Sequence, residues 1–79
     1  MNLLEKHAGL VRKKLDEMPH GSEQGLAESF GEDWMSVGTP GQRKDFGRLF
    51  KTAVKRSAFE GIEWVGIANS GRHDIYRKR

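Results

Sequence analysis

Leu4, Ala8, Val11, Leu15 and Met18 recur at intervals of four, three, four and three, which lines them along one face of a helix. Asn2 stands where a cap belongs, and Pro19 with Gly21 supplies a stop. A helix is therefore expected over 3–18, with Lys6, Arg12, Lys13, Asp16 and Glu17 turned to water. The next stretch is less regular. Ser22 can cap a short helix that carries Leu26 and Phe30 one turn apart, and Gly31 would end it before Trp34, Met35 and Val37. Helical structure is expected over 22–37, with Trp34 as a core anchor. Thr39-Pro40-Gly41-Gln42 combines a capping Thr, a Pro at the first helical position and a Gln three residues after the cap. The helix it opens is expected over 40–57, where Phe46, Leu49, Phe50, Ala53 and Val54 fill one apolar arc.

Past this helix the period changes. Ile62-Glu63-Trp64-Val65-Gly66-Ile67 is rich in strand formers, Asn69-Ser70-Gly71 supplies turn residues, and Asp74-Ile75-Tyr76 returns. A hairpin is expected over 61–78, with Val65 and Ile67 on one face and Ile62 and Trp64 on the other. Two strands alone are marginal, so one face must pack on the helices. The expected core is Leu4, Val11, Leu15, Leu26, Phe30, Trp34, Phe46, Leu49, Phe50, Val54 and Ile67. Helix, short helix, long helix and hairpin in that order make an α+β domain with a winged helix-turn-helix-like layout: three helices followed by a C-terminal β-hairpin. At 79 residues the chain fits one such domain, 1–79, with one core and little room for a deep pocket.

Charge adds a direction to this layout. Residues 1–38 hold four basic and seven acidic side chains, a net of −3, whereas residues 39–79 hold ten and four, a net of +6. On the wheel of the long helix, Lys44, Arg48, Lys51 and Lys55 fall within an arc of about 60° opposite the apolar one, with Arg43 and Arg56 to either side. Gly47 interrupts the same helix at a cost of about 1 kcal/mol against Ala, which the close approach of another backbone, the fold's own neighbour or a ligand, would explain.

Candidate chemistry narrows the function classes. His7, His20 and His73 lie in different segments, and none has a partner at metal-ligand spacing. Neighbouring Glu32 and Asp33 point about 100° apart on a helix and do not converge on one reacting atom. No Ser sits in a nucleophile elbow. Gly38-Thr39-Pro40-Gly41-Gln42-Arg43-Lys44 lacks phosphate-loop spacing, although a helix start flanked by Arg43 and Lys44 suits a backbone phosphate. No catalytic residue, metal or cofactor is expected, and the chain reads as a binding domain rather than an enzyme. The sequence has no cysteine, no apolar run approaching the roughly 18 residues of a membrane span and no signal-like start, so a cytoplasmic location is expected.

From Trp34 to Tyr76 the chain resembles a family of small winged-helix-like proteins of bacteria, phages and mobile elements. The matching frame is Trp34, Arg43, Phe46-Gly47-Arg48-Leu49-Phe50, Val54, Gly61-Ile62 and Tyr76, with the R-x-x-F-G-R-L-F run as its most distinctive part. The first helix and residues 18–28 fall outside it. The resemblance implies a DNA-associated or mobile-element role and supplies no catalytic residues.

The expected partner is DNA, duplex or single-stranded, with the protein as a phage or mobile-element regulator or accessory factor. Lys44, Arg48, Lys51 and Lys55 on the long helix and Arg72, Arg77 and Lys78 on the wing are the candidates for phosphates. Gln42 and Arg43, at the helix start, are the candidates for base edges. Arg43 and Arg48 have a framework alternative, bonding helix ends or stacking on Trp34. Trp64 and Tyr76 read either as core or as stacking platforms for bases. A second functional class is a protein-binding module, for example an inhibitor of a host defence complex, whose working face would be acidic: Glu23, Glu28, Glu32 and Asp33 against a basic channel. The first helix is the segment available for a homodimer.

Overall fold

The computed structural model describes residues 2–68 and 73–79. Among these, four α-helices, one 3-10 helix and a three-stranded antiparallel sheet occur in the order α1 (Leu3–Lys6), α2 (Ala8–Glu17), β1 (Glu23–Gln24), α3 (Leu26–Phe30), the 3-10 helix (Gly31–Val37), α4 (Pro40–Lys55), β2 (Ile62–Ile67) and β3 (Asp74–Lys78). The chain is an α+β protein, and its helices lie against one face of a sheet ordered β1-β3-β2.

The first expected helix is divided at His7, whose backbone departs from helical values (φ −107°, ψ 18°). Its ring meets the edge of Phe46 at 6.1 Å between centroids. Backbone bonding bridges the break, because His7 N–H donates to Leu3 at 3.1 Å and Val11 N–H donates to His7 at 2.9 Å. Asn2 caps the start as expected, its Oδ1 accepting from Glu5 N–H at 2.9 Å.

The segment 22–37 departs further from expectation. Ser22 does not cap a helix; its hydroxyl donates to the Pro19 carbonyl at 2.7 Å and closes a turn. Glu23 and Gln24 are then extended and pair with Arg77 and Tyr76 of β3. The N-cap of α3 is Gly25, and α3 ends at Gly31, whose φ of 58° suits glycine. The chain then winds into the 3-10 helix, whose first turn holds Glu32 and Asp33. Gly38 leads into α4 with φ 136°, and a Cβ there would run into the Gln42 side chain. The capping box of α4 is complete: Gln42 N–H donates to Thr39 Oγ1 at 3.2 Å, and Thr39 N–H donates to Gln42 Oε1 at 2.8 Å.

Val11, Leu15, Phe30, Phe46, Phe50 and Val54 are buried as expected, joined by Met18, Val37, Ile62 and Tyr76. Leu4, Leu26 and Trp34 pack on this core half-buried, and Leu49 is half-buried too. An aromatic chain crosses the centre: Trp34 meets Phe30 and Phe46 edge-on, Phe46 stacks parallel to Phe50 one turn along, and Phe50 meets Tyr76 at 4.8 Å. Ile67 is not a core residue; it is 59% exposed. A register shift between Trp64 and Gly66 makes Val65 the extra residue of the strand. Ile62 and Trp64 pack toward the core while Val65 and Ile67 stay exposed, the split that alternation predicts with the opposite face turned inward.

Candidate nucleic-acid interface

α4 runs from its capping box to Lys55 with Phe46, Phe50 and Val54 buried, which turns its charged residues toward its flanks and solvent. On the flank facing α3 and the start of β3, a groove of about 740 Å³ opens. Arg43, Lys44, Arg48 and Lys51 contribute its basic side; Leu26 and Trp34 contribute apolar surface. Glu28 of α3 and His73, Asp74 and the edge of the buried Tyr76 on the β3 side also line it.

Within the groove the cations differ. Lys44 is exposed. Arg48 is 77% exposed and lies 3.3 Å from Asp45, an exposed pairing that holds it weakly. It does not stack on Trp34 as the framework alternative suggests. Arg43 is half-buried, and its guanidinium approaches Met35 Sδ at 2.8 Å. Lys51 is held by two neighbours: its ammonium lies 3.3 Å from Asp74 and 4.7 Å from the centre of the Trp64 ring. Lys55 extends the line past the groove, 4.4 Å over the same ring. Asp74 joins strand and helix, because it also accepts from Trp64 Nε1 at 2.9 Å.

Other candidate residues are engaged elsewhere. The Gln42 amide oxygen is occupied by the helix cap. Arg77 lies across the sheet from the groove's helix, donating from Nε to Glu63 at 2.7 Å and from Nη1 to Glu23 at 3.4 Å. The hydrogen bond and the charge of Glu63 hold Arg77 above its ordinary range, and the Arg77 hydrogen bond holds the Glu63 carboxyl below its own. Lys78 donates to the Leu15 carbonyl at 2.6 Å and ties the sheet to α2. Arg72, with the turn residues Asn69, Ser70 and Gly71, lies outside the described residues. Tyr76 is 2% exposed and part of the aromatic core, so its ring is not a platform open to a base; burial first, and the Asp74 charge second, push its hydroxyl upward. The four acidic residues do not share one neighbourhood. Glu23 is tied to Arg77 on the sheet, Asp33 to Lys14 of α2 at 2.8 Å, Glu32 is exposed beside Asp33 in the 3-10 helix, and Glu28 belongs to the groove beside the α4 cations. The Lys14 hydrogen bond holds the Asp33 carboxyl below its usual range.

Gly47 receives a different explanation from the expected one. Among the described residues no backbone crosses it closely, and a Cβ there would meet Leu26 Cδ1 at an ordinary 3.9 Å. Its lack of a side chain leaves the groove open instead. The contributions of Leu26, Glu28, His73 and Asp74 were missed from sequence. One signal was available: Arg43, Lys44 and Lys51 stand at i−4, i−3 and i+4 from Gly47, so three cations surround the bare position in the middle of the helix.

Among the described residues no cluster of three or more His, Cys, Asp or Glu side chains is arranged to hold a metal ion, and no helix is long and apolar enough to cross a membrane. No family model matches the chain, and neither a curated protein nor a solved structure shows significant similarity to it.

Proposed function

We propose that this chain is a small non-enzymatic nucleic-acid-binding domain of winged-helix-like architecture, with DNA as its partner and α4 as the contacting helix. The observation that carries the reading is the convergence of Arg43, Lys44, Arg48 and Lys51 on one groove, with Lys55 continuing the line. Exposed cations along one flank of a helix meet a regular row of phosphates at modest desolvation cost. The element order supports the architecture, since the short strand β1 adds to β3 and the β2–β3 pair lies next to the long helix. The resemblance to phage and mobile-element proteins points to a regulator or accessory factor, and Arg43, Gly47 and Arg48 of its frame all fall on the groove.

Because Lys78 is spent on the Leu15 carbonyl and Arg77 lies between two carboxylates, phosphate contacts are assigned to Lys44, Arg48 and Lys55, and to Lys51 where a phosphate replaces its Asp74 partner. Three to four such contacts give a log–log slope of affinity against salt of about −3 to −4 on duplex DNA. Fluorescence anisotropy across a salt series measures it. Lys44→Ala is expected to weaken binding equally on every sequence and to reduce the slope by about one. A folded protein that binds neither duplex nor single-stranded DNA at low salt defeats the reading.

A further inference from the structure

The groove on α4 offers more than charge. Its floor at Gly47 is bare, bordered by the apolar side chains of Leu26 and the half-buried Trp34. The described part of the fold does not require glycine there, because among the described residues an added Cβ would meet Leu26 Cδ1 at 3.9 Å, ordinary contact. A helix that keeps its least favourable residue short of proline at a site of no crowding, ringed by Arg43, Lys44 and Lys51, has a cavity to maintain. Phosphates alone do not need one, since they are met by cations on a convex helix. A flat, apolar-faced group attached to phosphates does.

Resting on the nucleic-acid reading above, we infer that the groove receives one unpaired base of single-stranded DNA, with the adjoining phosphates on Lys44 and Arg48, and that the protein prefers single strands to duplex. In a duplex the base faces are covered by their stacked neighbours and only the edges line the grooves. An unpaired base exposes its face to Leu26 and Trp34 while its backbone stays at the basic rim, a pairing of apolar surface and positive charge that tolerates any sequence.

The full chain is tested by fluorescence anisotropy against an oligo-dT of about 12 nucleotides, a strand of the same length made of abasic sites, and a duplex of that length. Oligo-dT is expected to bind roughly tenfold tighter than either comparator. Gly47→Leu, which fills the floor and favours the helix, is expected to bring its oligo-dT affinity down to that of the abasic strand measured on the same variant. Gly47→Ala is expected to have an intermediate effect with a melting temperature no lower than that of the parent, and the abasic strand keeps the test decisive should the leucine variant misfold. Equal affinity for oligo-dT, abasic strand and duplex overturns this inference and leaves the nucleic-acid reading standing. Binding to none of them overturns both. Tighter binding to oligo-U overturns the assignment to DNA. Capture of an alternating Glu-Phe peptide that is lost in Gly47→Leu, with oligo-dT unaffected, gives the groove to a protein partner.

Discussion

Asp74 is a single carboxylate with two tasks. It accepts from the Trp64 indole at 2.9 Å and lies 3.3 Å from the Lys51 ammonium, so it fixes the hairpin against α4 and orients one groove cation. Asp74→Ala leaves the half-buried indole N–H without its partner and is expected to cost about 1–2 kcal/mol in urea denaturation. An unchanged midpoint would mean that Lys51 and Lys55, both near the Trp64 ring, hold the hairpin without it. Tyr76 presents the opposite case. Its ring fills the core against Phe50, yet its buried hydroxyl has no hydrogen-bond partner among the described residues. Tyr76→Phe removes an unpaired polar group and keeps the ring, so stability is expected to stay level or rise by up to about 1 kcal/mol. A clear loss in thermal melts would reveal a partner for that hydroxyl.

At the scale of elements, α4 depends on its local sequence. Thr39→Ala breaks the reciprocal cap and is expected to cost about 1 kcal/mol; a melting temperature equal to the parent's would make the cap dispensable. This cap was legible because it needs only residues three apart. The apolar arc of α4 and its row of cations were legible for the same reason, since both arise from helical period. β1 was not legible. Glu23 and Gln24 have no strand preference of their own and become extended because β3, more than fifty positions along the chain, offers them an edge. The division at His7 likewise arises from tertiary packing on Phe46, which an unbroken apolar period conceals. The Ile67 assignment failed on the choice of face: alternation set Ile62 and Trp64 apart from Val65 and Ile67, and it is the Ile62 and Trp64 side that packs on the core. For the candidate site, the wheel supplied the basic side of the groove. It missed the α3 and β3 sides, which exist only after those elements dock, and it could not foresee that Arg77 and Lys78 would be engaged internally.

Across the whole molecule, one ion pair among the described residues, Glu23 with Arg77, joins the acidic and basic halves of the sequence, and the others form within a half. Glu23 and Glu63 hold Arg77, and Glu63 also reaches Arg79 at 3.4 Å; Asp33 holds Lys14 within the acidic half. This leaves the exposed cations of α4 to dominate one side. The same pairs link stability to acidity. The Asp33 and Glu63 carboxyls both titrate below their ordinary values of 3.8 and 4.5, chiefly through the hydrogen bonds from Lys14 and Arg77. A carboxylate depressed in the folded state releases its proton more readily there than in the unfolded chain. Its contribution is therefore complete above the ordinary carboxylate range and is lost as pH falls through that range to the depressed folded values. The melting temperature is expected to hold from about pH 7 to 5 and to fall from about pH 5 to 3. The double variant Asp33→Asn with Glu63→Gln keeps the shape of both side chains and removes their titration. It is expected to melt below the parent at neutral pH, and the gap is expected to narrow as pH falls through the ordinary carboxylate range toward the depressed folded values. Because both pairs are partly exposed, added salt is expected to shrink the gap at neutral pH. Parallel pH profiles for parent and variant, with no convergence, would assign the acid sensitivity of the fold to other carboxylates.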